Sequence, residues 1–420
     1  MQRDPLDRPG MRAQAMPLGG TTDRVDSGTA FNPALSVILD GVYYNGLNND
    51  FGDPAGFGGH DHDHGHGHGH GHDHGLDDGF NLRETEIALS GSVDNYLDAM
   101  VTLAIDEHDI EVEEAWFATR SLPAGLQLKG GKFLSDIGYI NKQHPHDWDF
   151  VDRPLVNAFL FGDHGLQEKG LQLSWVPATP FYSRYGVEVL QGESEGFATT
   201  DDGLVSESSG PRLFTAFAKF APDLGYDHAL QFGLSYGYAR QVQEVDDHGN
   251  HAHALEGDSW FAGSDLVYKY DAGRPYGHGD VRLQAEYFWR QRNVDEYVEH
   301  GSGRIEKRDN FRERQDGLYL QGIYGFAPRW EAGARFEALG LTNRAVDYHP
   351  TELENHDTSY RYGLVTTWRP TEFSYFRAQA NYVDFADEGH GHDHDHGNDR
   401  GWELMLQYNI SLGVHGAHQF

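Results

Sequence analysis

The chain has 420 residues, of which 66 are acidic and 32 basic, giving a formal charge of −34, and it contains no cysteine. The charge opposes nucleic acid as a partner and favours cationic guests, while the missing cysteines exclude disulfide frameworks and thiolate metal sites. Mean hydropathy is −0.64, and no stretch approaches the roughly 18 apolar residues of a helical membrane span, which leaves open a barrel, where only alternate residues face lipid.

Residues 1–30 carry Pro, Gly, Arg and Asp without an apolar core, so no signal peptide is visible in this numbering and the segment reads as an N-terminal periplasmic extension. From residue 31 to 420 the organising signal is period-two alternation. Strands are expected at 35–44, 81–93, 97–106, 111–120, 126–134, 170–176, 181–191 and 211–220. Leu230, Phe232, Leu234, Tyr236 and Tyr238 then alternate with small or polar residues, as a wet lumen requires. Further strands are expected at 259–270, 281–291, 312–326, 330–339, 358–368 and 373–382. Trp402, Leu404, Leu406, Tyr408, Ile410 and Leu412 share one face of a last strand. The fold class is therefore all-β, a transmembrane antiparallel β-barrel of about sixteen strands and porin-like.

Connection lengths support this independently. Links such as Asp94-Asn95-Tyr96, Pro123-Ala124-Gly125 and Ala327-Pro328-Arg329 are short and turn-like, and they alternate with longer ones, including His-rich loops at 46–79, 241–258 and 384–399. Short periplasmic turns alternating with long outer loops are the barrel pattern, which puts all three His-rich segments on the extracellular side. The chain ends on Phe420, as outer-membrane porins characteristically do.

The first tract places His60, His62, His64, His66, His68, His70, His72 and His74 at every second position with interspersed Asp and Gly; a second holds His390, His392, His394 and His396, and a weaker third His248, His251 and His253. Imidazole and carboxylate ligands suit zinc, nickel or copper, but flexible glycine preorganises no geometry, so the metal would be loosely bound and poorly selected. The bland alternative is a solvated low-complexity linker. First and last hairpins adjoin in a closed barrel, so the two larger tracts would share one mouth.

Residues 135–169 form the longest connection that is not low complexity, and their aromatic content favours order. As the third outer loop, they are expected to fold inward as a constriction, with His144, His146, Asp147 and Asp149 offering a weak cation site on the permeation route. The competing reading makes His144-Pro145-His146 a bend and pairs Asp152 with Arg153. No nucleophile elbow, metalloprotease helix motif or phosphate loop appears, so no enzymatic activity is expected.

Gly130-Gly131-Lys132-Phe133, Asp136-Ile137-Gly138-Tyr139 and Trp148-Asp149-Phe150-Val151-Asp152-Arg153-Pro154 resemble the phosphate-selective porin superfamily, and more closely its branch known as zinc-regulated outer-membrane receptors or porins. The resemblance implies a Gram-negative outer-membrane location, lipid as surroundings and, as in many porins, a homotrimer as one open assembly. The pore-lining lysines and arginines of the phosphate-selective members do not carry over to so acidic a chain, and the short N-terminal segment predicts no plug. The expected function is passive uptake of zinc or a similar divalent cation. The alternatives are a metal-binding or adhesion barrel without transport, or a general or anion-selective porin.

Overall fold

The computed structural model describes residues 28–29, 31–47, 51–57, 76–105, 110–194, 196–198, 208–247, 251–300, 304–348, 351–386 and 400–413. Strands β1 (Ala34–Asn45), β2 (Gly79–Ser92), β3 (Leu97–Ile105), β4 (Ile110–Thr119), β5 (Leu126–Leu134), β6 (Gln167–Trp175), β7 (Tyr182–Leu190) and β8 (Leu213–Ala221) run in sequence order. They are followed by β9 (His228–Asp247), β10 (His251–Tyr270), β11 (Val281–His300), β12 (Arg304–Ala327), β13 (Trp330–Tyr348), β14 (Thr351–Asn355), β15 (Ser359–Thr371), β16 (Ser374–Asp384) and β17 (Arg400–Gly413). Each strand pairs antiparallel with the next, and β1 pairs with both β2 and β17. The short β14 and then β15 both pair with β13, so the two act as one interrupted strand in a closed wall of sixteen.

Alternation decides which face is which. Leu171, Leu173 and Trp175 in β6, Tyr185, Val187 and Val189 in β7, and Leu406, Tyr408, Ile410 and Leu412 in β17 are all exposed on the outside, while the residues between them are buried toward the lumen, as in Gln172, Ser174, Glu188, Gln407 and Asn409. That inversion of the soluble-protein pattern is what lipid selects. Two aromatic girdles border the apolar band. One, by the short turns, includes the stacked Trp330, Trp368 and Phe376; the other, by the outer connections, includes Tyr360, Tyr362, Tyr382 and Trp402.

Every expected strand is present, but the segment 241–258 is not a loop. Residues 241–247 and 251–258 continue β9 and β10 beyond a register shift between Gly257 and Ser259, and β11 and β12 are likewise longer than the alternation indicated. Beyond the apolar band both faces of a strand are polar, so the period-two signal fades although backbone pairing continues. Residues 1–27, the tracts around His60–His74 and His390–His396, and Phe420 lie outside the described residues.

The lumen is not uniformly wet. Residues 135–166 leave β5 and fold into the barrel, carrying a short helix, α1 (Leu155–Phe161). Leu155, Val156, Leu160 and Phe161 join Phe197, Phe261, Phe288, Tyr319 and Leu339 in an apolar core inside the wall. Phe161 meets Phe261 and Phe288 edge-on, each at 5.0 Å. Gly237 and Gly263 are small because Phe261 and Phe288 lie across them; a Cβ on either would fall 2.1 Å and 2.3 Å from those rings. Burying this core ties the loop to β10–β13 through the hydrophobic effect rather than through polar contacts alone.

Candidate cation site at the inward loop

Directional hydrogen bonds fix the loop more finely. Arg377 donates to Trp148 O at 2.7 Å and to Phe150 O at 3.1 Å, Arg83 donates to Val151 O, Arg335 to Asp152 O at 3.0 Å, and Arg361 to Arg153 O at 2.8 Å. Four wall arginines thus bind carbonyls of the segment Trp148–Arg153. Wall carboxylates do the converse: Glu286 accepts from the backbone N–H of Tyr139 and Ile140, and Glu337 from that of Leu155 at 2.6 Å. Asp152 pairs with Arg335 and, at 3.0 Å, with Arg361, while Arg153 stacks on the Trp148 ring at 4.9 Å.

With the loop held, Pro145 starts a tight 3₁₀ turn (Pro145–Asp147), and the imidazoles of His144 and His146 stack at 5.8 Å, inclined by 12°. His144 faces β2 and β4, and His146 faces β2. His144 Nδ1 lies 3.0 Å from Glu113 Oε1 and 3.6 Å from Glu86 Oε2, and its Nε2 lies 3.1 Å from Glu114 Oε1. His146 Nδ1 lies 3.3 Å from the same Glu86 oxygen, and its Nε2 3.5 Å from Asp147.

Two consecutive glutamates can face one imidazole because β4 bulges. Thr102 pairs with Glu114 and Leu103 with Val112, leaving Glu113 as the extra residue. A bulge of this kind breaks strict alternation, so Glu113 and Glu114 are both buried on the lumen side while Val112 is exposed outside.

Ligand atoms of Glu86, Glu113 and His144 lie within 4.8 Å of one another, the arrangement of a cation site with one nitrogen and two oxygen donors. Glu86 Oε2 and His144 Nδ1 are both buried, and each faces an oppositely charged group of the cluster. Burial by itself would lower the imidazole pKa values, but the carboxylates outweigh it: His144 is raised well above its ordinary value by Glu113 and Glu86, and His146 to about 9 by Asp147 and Glu86. Without a metal the site is therefore a pair of imidazolium rings among carboxylates, and a divalent cation would enter by displacing protons.

Of the residues singled out in the sequence, His144, His146 and Asp147 come together here. Asp149 does not; it pairs with Arg282 at 2.8 Å, beside Glu331. His253 belongs to a strand and lies 3.1 Å from Glu296, His251 is in β10, and His248 is outside the described residues. Glu86, Glu113 and Glu114 were not singled out, since on a lumen-facing strand they look like ordinary polar lining.

The stems of the two large His tracts do adjoin. Asn45, at the end of β1, pairs with Leu404 of β17. Beyond it, Ala55 N donates to Ala386 O at 3.1 Å and Phe51 meets Phe385 at 6.4 Å.

No family model matches the chain. It is 33% identical over 409 residues to an uncharacterized protein of Aquifex aeolicus (strain VF5), an alignment covering 93% of this chain and 80% of that protein. Among solved structures, the in-vitro folded outer-membrane protein OmpT of Vibrio cholerae in its trimer form has a TM-score of 0.53 at 11% identity, covering 91% of this chain and 99% of that one. The outer membrane channel DcaP of Acinetobacter baumannii scores 0.50 at 12% identity, covering 91% and 97%. OmpF of Salmonella typhi, solved with daunomycin, scores 0.50 at 11% identity, covering 91% and 98%. At these identities the likeness is one of fold, that of outer-membrane porin barrels.

Proposed function

The chain belongs to one family with the uncharacterized Aquifex aeolicus protein, and on its porin-like barrel we propose that it is a channel of the Gram-negative outer membrane for passive uptake of zinc or a similar divalent cation. The observation that carries the reading is the cluster of Glu86, Glu113, Glu114, His144 and His146 where the inward loop meets β2 and β4. Imidazole with carboxylates is a ligand set for zinc, nickel or copper. The His60–His74 and His390–His396 tracts, whose stems adjoin, collect metal at the mouth and raise its local concentration. The chain itself performs no chemistry on its cargo.

An anion-selective porin is the alternative suggested by so many lumenal arginines. Their donors argue against it: Arg83, Arg335, Arg361 and Arg377 already bind loop carbonyls and carboxylates, and an anion would have to displace those bonds.

Zinc flux into proteoliposomes tests the proposal. At limiting zinc, E86Q/E113Q/H144A should pass zinc at least about tenfold more slowly while keeping potassium conductance, since each good ligand is worth a factor of ten or more. A chain without residues 60–74 and 390–396 should lose uptake only at low zinc. Unchanged zinc flux in the first variant would falsify the cation-site reading; unchanged flux in the second would remove the collecting role of the tracts alone.

A further inference from the structure

Most arginines described here have a partner, yet three on the outer face of β12 and β13 have none. Arg312, Arg314 and Arg344 are exposed and form no hydrogen bond or ion pair among the described residues. Burial alternates along this stretch, with Glu313 and Gln315 toward the lumen and the arginines outward. Arg314 and Arg344 stand directly opposite each other in register. Like charges in that position repel and destabilise the pair, so the arrangement calls for a counter-anion.

Three acids of the same outer face are already engaged. Asp316 accepts from Tyr287 Oη at 2.8 Å and Thr342 N at 2.6 Å, Asp258 from Asn293 at 3.0 Å, and Asp295 is paired with Lys307. In a chain of charge −34, three guanidinium groups without a partner among the described residues concentrate positive charge on one patch.

The patch also has a definite height. One row of paired residues runs Trp260, Gln291, Arg314, Arg344 across β10–β13. Trp260 meets Trp289 edge-on at 4.7 Å and lies tilted against Tyr236 at 6.2 Å, an outward aromatic cluster of the kind that sits at the membrane interface. The arginines therefore begin where the lipid headgroups are, on the side of the outer connections.

We infer that Arg312, Arg314 and Arg344 form a docking surface for the phosphorylated headgroup of a membrane lipid. A phosphate between Arg314 and Arg344 receives forked hydrogen bonds from both, a geometry guanidinium groups match and ammonium groups do not, and it removes the repulsion between them. The lipid's acyl chains lie along the apolar outer face below. Lipid rather than free phosphate is favoured because the patch adjoins the aromatic border instead of the lumen. The inference rests on the barrel spanning a membrane and is independent of any metal.

Native mass spectrometry of the full folded chain in detergent tests it, with bisphosphorylated lipid A, the same lipid without phosphates, and inorganic phosphate as probes. The bisphosphorylated lipid should bind the wild-type chain at least about tenfold more tightly than R312Q/R314Q/R344Q, in keeping with the strength of charge-assisted bonds. The dephosphorylated lipid should not distinguish the two chains, and millimolar inorganic phosphate should not displace the bound lipid. The side chains are exposed, so the variant should fold, as its circular dichroism can establish. Equal retention of the phosphorylated lipid by a folded variant overturns the inference, and so does displacement by inorganic phosphate, which would make this a site for a free anion.

Discussion

Asp152, in the middle of the inward loop, is held 3.0 Å from Arg361 of β15, and the same guanidinium donates to the neighbouring carbonyl of Arg153 at 2.8 Å. One side chain thus neutralises the loop's buried charge and orients its backbone. Replacing Arg361 with alanine removes one of the two arginines that bridge Asp152 and Glu337, the other being Arg335, and should destabilise the folded barrel by about 3 to 5 kcal/mol, the range for breaking a buried pair. Denaturant unfolding followed by electrophoretic mobility measures the loss, and single-channel conductance should rise in parallel as the loop loosens. Unchanged values in both would mean that the apolar core alone holds the loop.

Glu113 reaches the site only through the bulge, which makes its contribution separable from charge in general. E113Q should weaken zinc binding to the barrel lacking residues 60–74 and 390–396 by about tenfold. The same change at Glu111, which is salt-bridged to Lys132 at 2.6 Å, should leave it within about twofold, as an exposed pair contributes little. Isothermal titration with zinc compares them, and equal losses would reduce the effect to overall charge.

Asp149 offers a control within the loop. Because it is engaged with Arg282, D149N should leave zinc affinity unaltered, whereas H146A should lower it. If D149N proved as damaging as H146A, the metal position would have to extend toward β11.

The pH dependence follows from the sign of the imidazole shifts. His146 is raised from 6.5 to about 9 in the folded chain and His144 is raised as well, so their ion pairs stabilise the fold fully below the unfolded value near 6.5 and lose that contribution as pH climbs through about 9. The unfolding midpoint should fall between pH 7 and 9.5 in the wild type and stay flat in H144A/H146A. Zinc competes with those protons, so zinc binding by the tract-deleted barrel should keep strengthening up to about pH 9 rather than levelling off above 6.5. A plateau at pH 7 contradicts the proton-filled site.

The barrel was legible because lipid imposes a strict rule. Trp402 to Leu412 and Leu230 to Tyr238 must alternate, and they do in the folded chain. Where lipid ends the rule lapses, which is why the outer parts of β9 and β10, rich in Gln, Glu and Asp, look like loop although they pair residue by residue. His144 and His146 stood out by composition and position. Their carboxylate partners did not, because the meeting of residue 144 with residues 86 and 113 depends on long-range register and on one extra residue in β4, and neither leaves a local pattern. Asp149 matched in type but was claimed by Arg282, 133 positions away.

That extra residue makes the metal chemistry a matter of counting. Removing Val112 would restore plain alternation to β4 and turn the Glu113 carboxylate outward, with every amino acid of the cluster otherwise unchanged. Insertions and deletions of a single residue, more than substitutions, are then the events by which barrels of this family would gain or lose the ability to hold a cation. The presence of the extra residue beside Glu114 is the character to trace among relatives.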